Sequence, residues 1–135
     1  MKTYTPSKLL PGDAAILLQH TFTRWMSRDL TQAAVDFSRN LGLVPAYSES
    51  SPGPLTRYLF WSPPPGALFE VRSGRARDKF EELDNAKRDQ PWRLLSLHIS
   101  DDGLYSAVWI SAEHYETAKA WLAAHGVTAA EIHDL

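Results

Sequence analysis

The side chains of this chain that could do chemistry are few: five histidines, a carboxylate lodged in an apolar run, and a surplus of aromatic rings. Glu70 lies within Ala67-Leu68-Phe69-Glu70-Val71, where a carboxylate must either turn to solvent or find a partner, because an unpaired buried charge is costly. If Phe69 and Val71 point inward along a strand, Glu70 points outward. His98 stands in Leu95-Ser96-Leu97-His98-Ile99-Ser100, opposite the apolar residues and beside Ser96 and Ser100. Such a polar face is either solvated or the wall of a cleft. His20 falls in a strand-like run, and His114 in the first turn of a helix. His125 lies near a helix C-terminus, where the macrodipole favours it. Asp101-Asp102-Gly103 reads as a turn, since the later ligands of a calcium loop do not follow it. No Gly-rich phosphate loop, Gly-x-Ser-x-Gly elbow or His-Glu-x-x-His helix occurs. The absence of cysteine excludes a disulfide framework, a thiolate zinc site and a cysteine nucleophile.

The elements that must position these groups read most clearly between Asp29 and Ser73. Leu30, Ala33, Ala34, Phe37 and Leu41 form one stripe of helical period. Asp29 suits the N-cap and Gly42 the position after the helix. Three short strands are expected next, at Val44–Glu49, Thr56–Trp61 and Ala67–Arg72. Ser-Ser-Pro-Gly-Pro and Ser-Pro-Pro-Pro-Gly divide them, the second read as a rigid hairpin linker. Ala14–Trp25 is open between strand and short helix; its β-branched content favours strand.

Beyond the meander, Arg75–Lys87 is amphipathic, with Ala76, Phe80, Leu83 and Lys87 on one side. Arg93–Ser100 and Leu104–Ile110 form a hairpin around Asp101-Asp102-Gly103, with Gly103 suited to a left-handed conformation. A final helix is expected over Ala112–His125, closed by Gly126-Val127 in a Schellman-type end. Thr128–His133 reads as a last short strand.

These elements predict one domain over 1–135, with possible halves 14–73 and 93–135 joined by a helix at 75–88. The fold class is α+β: a mostly antiparallel, curved sheet of about six or seven strands with three helices, its first half βαβββ-like. A chain of 135 residues can bury most of its apolar surface in one core. A net charge of −2 creates no field that attracts nucleic acid or an anionic membrane. The N-terminal stretch lacks a signal-peptide layout, and Ala14–Leu18 is too short to span a bilayer. A cytoplasmic protein is the default expectation. Five Trp and five Tyr exceed what a small core needs, which suggests a ligand pocket or an interface.

Asp29-Leu30-x-x-Ala33-x-x-x-Phe37-x-Arg39-x-Leu41-Gly42-Leu43, followed by strands ending in Leu68-Phe69-Glu70-Val71, resembles the first module of the vicinal oxygen chelate superfamily. That group includes glyoxalases, extradiol dioxygenases and fosfomycin- and bleomycin-resistance proteins. Tyr105–Ala112 with Trp121–Val127 is similar to the opening of its second module. The resemblance implies metal ligands on strands facing a cleft. Carried over by position, these are His20, Glu70 and His98, with His114 the other candidate in the second module. Imidazoles and a carboxylate around an open position would suit a divalent ion such as Ni, Mn, Zn or Fe, which could polarise vicinal oxygens of a substrate. Tyr58, Phe60, Trp61 and Trp109 would supply aromatic walls for a small molecule.

A second resemblance uses Trp25–Thr31, Arg57–Trp61 and Trp92–Ser96, which look like accessory repeats attached to β-lactamase-like hydrolases. It implies the alternative reading, a non-enzymatic protein-binding module such as an inhibitor, immunity or accessory protein, with exposed aromatic rings as its anchors. The sheet, as expected from sequence, has an unpaired edge near Leu104–Ile110 or the C-terminal residues. A homodimer closed through that edge is therefore expected.

Overall fold

The computed structural model describes residues 2–5, 26–27, 42–50 and 55–134. The strand expected within 14–25 and the helix expected over 30–41 lie outside the described residues. Gly42, placed after that helix by sequence, has φ +76°. The described strands are β1 (Lys2–Thr5), β2 (Met26–Ser27), β3 (Val44–Ser50), β4 (Leu55–Trp61), β5 (Phe69–Arg75), β6 (Trp92–Ile99), β7 (Tyr105–Ser111) and β8 (Glu131–Asp134). Helix α1 spans Arg77–Arg88, and α2 spans Tyr115–Ala124 after a 3₁₀ turn at Ala112–His114.

The fold is α+β, but the single curved sheet predicted from sequence is not what forms. Among the described residues, the five long strands β3 to β7 and the short β2 form two antiparallel sheets, β2-β4-β3 and β5-β7-β6, accompanied by two α-helices, and β1 pairs with β8 in a separate ribbon. A single sheet of six or seven strands, with β5 as the last strand of a βαβββ first half, is therefore corrected; of the three expected helices, the first lies outside the described residues. The error lies in the partner of β5. Ser62-Pro63-Pro64-Pro65-Gly66 does not fold β5 back onto β4. It carries the chain across to the other sheet, where Phe69, Glu70 and Val71 pair with Ile110, Trp109 and Val108. Three consecutive prolines fix φ and supply no N–H for a tight hairpin onto β4, and the chain turns only at Pro64–Ala67, where the Ala67 N–H donates to the Pro64 carbonyl at 3.2 Å and Gly66 takes φ +85°. Alternation along β5 is the same whichever strand it joins, so sequence periodicity cannot choose between them.

The sheet β5-β7-β6 is covered on both faces. On one face α1 brings Phe80 against Leu94, Leu97, Ala107 and Trp109. On the other, Val108, Ile110 and Leu95 pack with Tyr47, Leu59 and Trp61, and α2 adds Tyr115, Ala118 and Leu122. A bulge between Leu94 and Ser96 puts Leu95 on the same face as Ser96 and His98, where strict alternation had set it opposite. Helix α2 ends as its sequence predicts: Gly126 takes φ +80°, and the Val127 N–H donates to the Leu122 carbonyl at 2.9 Å. Val127 is thereby buried in the core.

Of the two edges expected for dimerisation, the one along β7 is paired on both sides and the one along β8 on one side. Strand β7 is the middle strand of its sheet, and β8 is paired with β1 through Lys2–Asp134 to Thr5–Glu131.

Candidate functional site

Strand β3 meets the second sheet edge-on, and side chains rather than backbone complete its outer edge. The Ser96 hydroxyl donates to the Ala46 carbonyl at 2.9 Å, and the Ser50 amide donates to His98 Nδ1 at 3.3 Å. These contacts satisfy strand groups that β4 cannot reach, where an orphaned buried backbone group would be costly. Hydroxyl pairs extend the seam: Ser50 with Ser106 at 2.7 Å and Ser48 with Ser73 at 2.8 Å.

On the β6 side of this seam lies a compact polar cluster. Glu49 and Arg57 are cross-strand partners in β3 and β4, and their side chains form an ion pair only about a tenth exposed. The Tyr47 hydroxyl donates to the other Glu49 carboxylate oxygen at 2.8 Å. Burial, with the Glu49 charge and that hydrogen bond, pushes the Tyr47 phenol well above its usual range, although Arg57 pulls it down. The His98 ring approaches Tyr47 edge-on, with centroids 6.4 Å apart. Burial holds His98 below the ordinary histidine value; Arg57 acts in the same direction, and Glu49 and Asp101 oppose it. A ring whose Nδ1 accepts an amide N–H carries its proton on Nε2, so neutral His98 presents an Nε2–H donor.

The other face of β5-β7-β6 holds a second charged group. Glu70 pairs with Lys87 of α1 and, at 3.3 Å, with Arg72. The Lys87 ammonium lies 4.6 Å from the Trp92 ring centroid and 5.4 Å from that of Trp109. Asp84, almost wholly buried, accepts the Trp109 indole N–H at 3.0 Å and a guanidinium N–H of Arg88 at 2.9 Å.

This geometry separates the residues singled out by sequence. His20 lies outside the described residues. Glu70 pairs with Trp109 on the α1 face of the sheet, whereas His98 pairs with Ser106 on the β3 face. The two project from opposite faces and cannot share one ion. Among the described residues, no group of three His, Cys, Asp or Glu side chains converges as a metal site would require. His114 hydrogen-bonds Ser111 at 2.8 Å through Nδ1. Tyr58 and Phe60 pack together at 5.6 Å, Trp61 packs against Phe69 and Trp121, and Trp109 stacks on Phe80. All four aromatic candidates are buried, so they build the core instead of lining an open wall.

Sequence reasoning missed Glu49, Arg57 and Asp84. Signals for them existed: the opposite charges of Glu49 and Arg57 stand on successive predicted strands, and Asp84 stands four residues before Arg88 on one helix face.

An apolar cleft opens between the start of β3 and the start of β5. It measures about 220 Å³ and is lined by Val44, Pro45, Ala67, Leu68, Phe69 and Val71. Leu68 at its lip is 61% exposed, the most exposed of the large hydrophobic residues described. No helix among the described residues is long and apolar enough to cross a membrane. Comparison of the chain with protein-family models, with curated proteins and with solved structures found no match.

Proposed function

We propose that the protein is a non-enzymatic binding module whose apolar cleft accepts one large aliphatic or aromatic side chain of a protein partner. The observation that carries this reading is Leu68, held 61% exposed at the lip of a cleft otherwise walled by Val44, Pro45, Phe69 and Val71. An apolar side chain kept in water beside an apolar recess gains by being covered, at roughly 25 cal/mol per Å². The cleft volume of about 220 Å³ lies below the several hundred Å³ usual for drug-sized ligands and suits a single anchor residue. The rigid Pro63-Pro64-Pro65 segment precedes the cleft and limits the entropy lost when a partner docks.

Panning a random peptide library on the wild-type protein, with counter-selection on Leu68→Ser, tests the proposal. Enriched peptides sharing a large apolar residue, and bound at least tenfold more weakly by Leu68→Ser, support it. Enrichment of no peptide that depends on Leu68 refutes it.

A further inference from the structure

Strand β5 is an outer strand. Strand β7 takes one side of it, and on the other side no strand among the described residues pairs with it. The phase of its backbone follows from the hydrogen bond that the Ser111 N–H donates to the Leu68 carbonyl at 3.0 Å. In an antiparallel ladder, Leu68, Glu70 and Arg72 then turn their N–H and C=O groups to β7, while Phe69 and Val71 turn theirs to the open side. A second contact agrees: the Arg72 guanidinium folds over and donates to the Val71 carbonyl at 2.9 Å, covering an acceptor the ladder leaves bare.

The charges around Val71 are self-complementary. Glu70 precedes it and Arg72 follows it, both half-exposed on one face. We infer that two copies of the chain join β5 to β5 in antiparallel register centred on Val71, so that two three-stranded sheets become one. In that register Val71 and the partner's Val71 exchange both backbone hydrogen bonds, because both point outward. Glu70 then stands opposite the partner's Arg72, and Arg72 opposite the partner's Glu70. These are non-hydrogen-bonded positions, where opposed side chains lie closest and opposite charges attract. The twofold axis makes the contact isologous and closed. The bulge between Arg72 and Arg75 ends the pairing after a few residues, so the dimer is reversible rather than obligate. Phe69 and Val71 belong both to this edge and to the cleft proposed above, but the dimer is held by backbone and by the charges of Glu70 and Arg72. Leu68→Ser removes the lip of the cleft and leaves these in place, so it separates failure of one reading from failure of the other.

Sedimentation equilibrium of the wild-type protein tests the inference without any substitution. The expected mass rises with concentration from 15.2 kDa towards twice that value. Arg72→Glu opposes like charges at both symmetric positions and is expected to weaken the dimer about tenfold or more. Circular dichroism confirms that each variant folds. Because the chain has no cysteine, Val71→Cys adds a direct probe of register. It is expected to cross-link under mild oxidation far faster than Leu55→Cys, an exposed position on β4. A monomer mass at every concentration, a dimer indifferent to Arg72→Glu, or equal cross-linking at 55 and 71 would each overturn the proposal.

Discussion

The Ser50 amide donates to His98 Nδ1 at 3.3 Å, and that single bond joins the outer edge of one sheet to the face of the other. It is sensitive to protonation in a way its neighbours are not. The Ser96 hydroxyl that donates to the Ala46 carbonyl can rotate to suit its partner, but an imidazole protonated on Nδ1 becomes a second donor facing the Ser50 N–H.

Acid is therefore expected to loosen this junction. His98 is held below the ordinary value of 6.5, mainly by burial. The unfolded chain takes up a proton near 6.5 while the folded chain resists it, so the unfolded state binds more protons in this window. The stabilisation linked to His98 is complete above that pH and is lost as the pH falls through the depressed folded value. Urea titrations above and below pH 6.5 should show lower stability on the acid side. In His98→Gln, which keeps an acceptor but does not titrate, that slope should shrink. An equal slope in both proteins would show that His98 is not its source.

Removal of Glu49 should be among the costliest single changes. Glu49→Ala leaves the Arg57 guanidinium and the Tyr47 hydroxyl without this carboxylate in a site about a tenth exposed. A loss of about 3 kcal/mol is expected from breaking one side of a buried pair. Replacing both partners, as in Glu49→Leu with Arg57→Met, should cost clearly less than Glu49→Ala, since the guanidinium charge is then removed together with the carboxylate it pairs with. Denaturant unfolding of the two single variants and the double variant closes the cycle.

What the sequence revealed and what it hid follow one rule: signals confined to neighbouring residues survived, and those that depended on a distant partner did not. The strand over Leu104–Ile110, the left-handed Gly103 and the Gly126-Val127 helix end all appear, with φ +80° at both glycines. Turn and cap chemistry need only adjacent residues. The partner of β5 was misread because Phe69, Glu70 and Val71 alternate identically against β4 or β7. The aromatic surplus was read as a ligand surface, yet Trp61 and Trp109 were needed to fill two faces of one sheet. Sequence left Glu70 open between solvent and a partner, and the partner it takes is Lys87 on a following helix.

Thr56 offers a stabilising substitution. Its hydroxyl is fully buried in β4 and makes no hydrogen bond among the described residues. The folded state bears the cost of desolvating that group with nothing in return. Thr56→Val keeps the β-branched shape and is expected to raise stability by about 1 kcal/mol, read as a higher denaturant midpoint with an unchanged slope. A loss of that size would mean that the hydroxyl has a partner in solution.

Asp84 and Trp109 tie α1 to the middle strand β7, and the strength of that tie can be separated from ring packing. Trp109→Phe keeps an aromatic ring beside Phe80 but deletes the indole N–H that donates to Asp84 at 3.0 Å. A carboxylate 2% exposed then loses one of its donors while Arg88 remains. Hydrogen bonds to charged groups contribute about 1.5–3 kcal/mol, and the smaller ring adds a cavity cost on top. Asp84→Asn separates the two effects, because it leaves the tryptophan in place and weakens only the charge-assisted bonds. If the coupling is real, the double variant Trp109→Phe with Asp84→Asn should cost less than the two single changes added together. Strict additivity would place the whole effect of Trp109 in packing, and the Asp84 bond would then contribute nothing to holding α1 on the sheet.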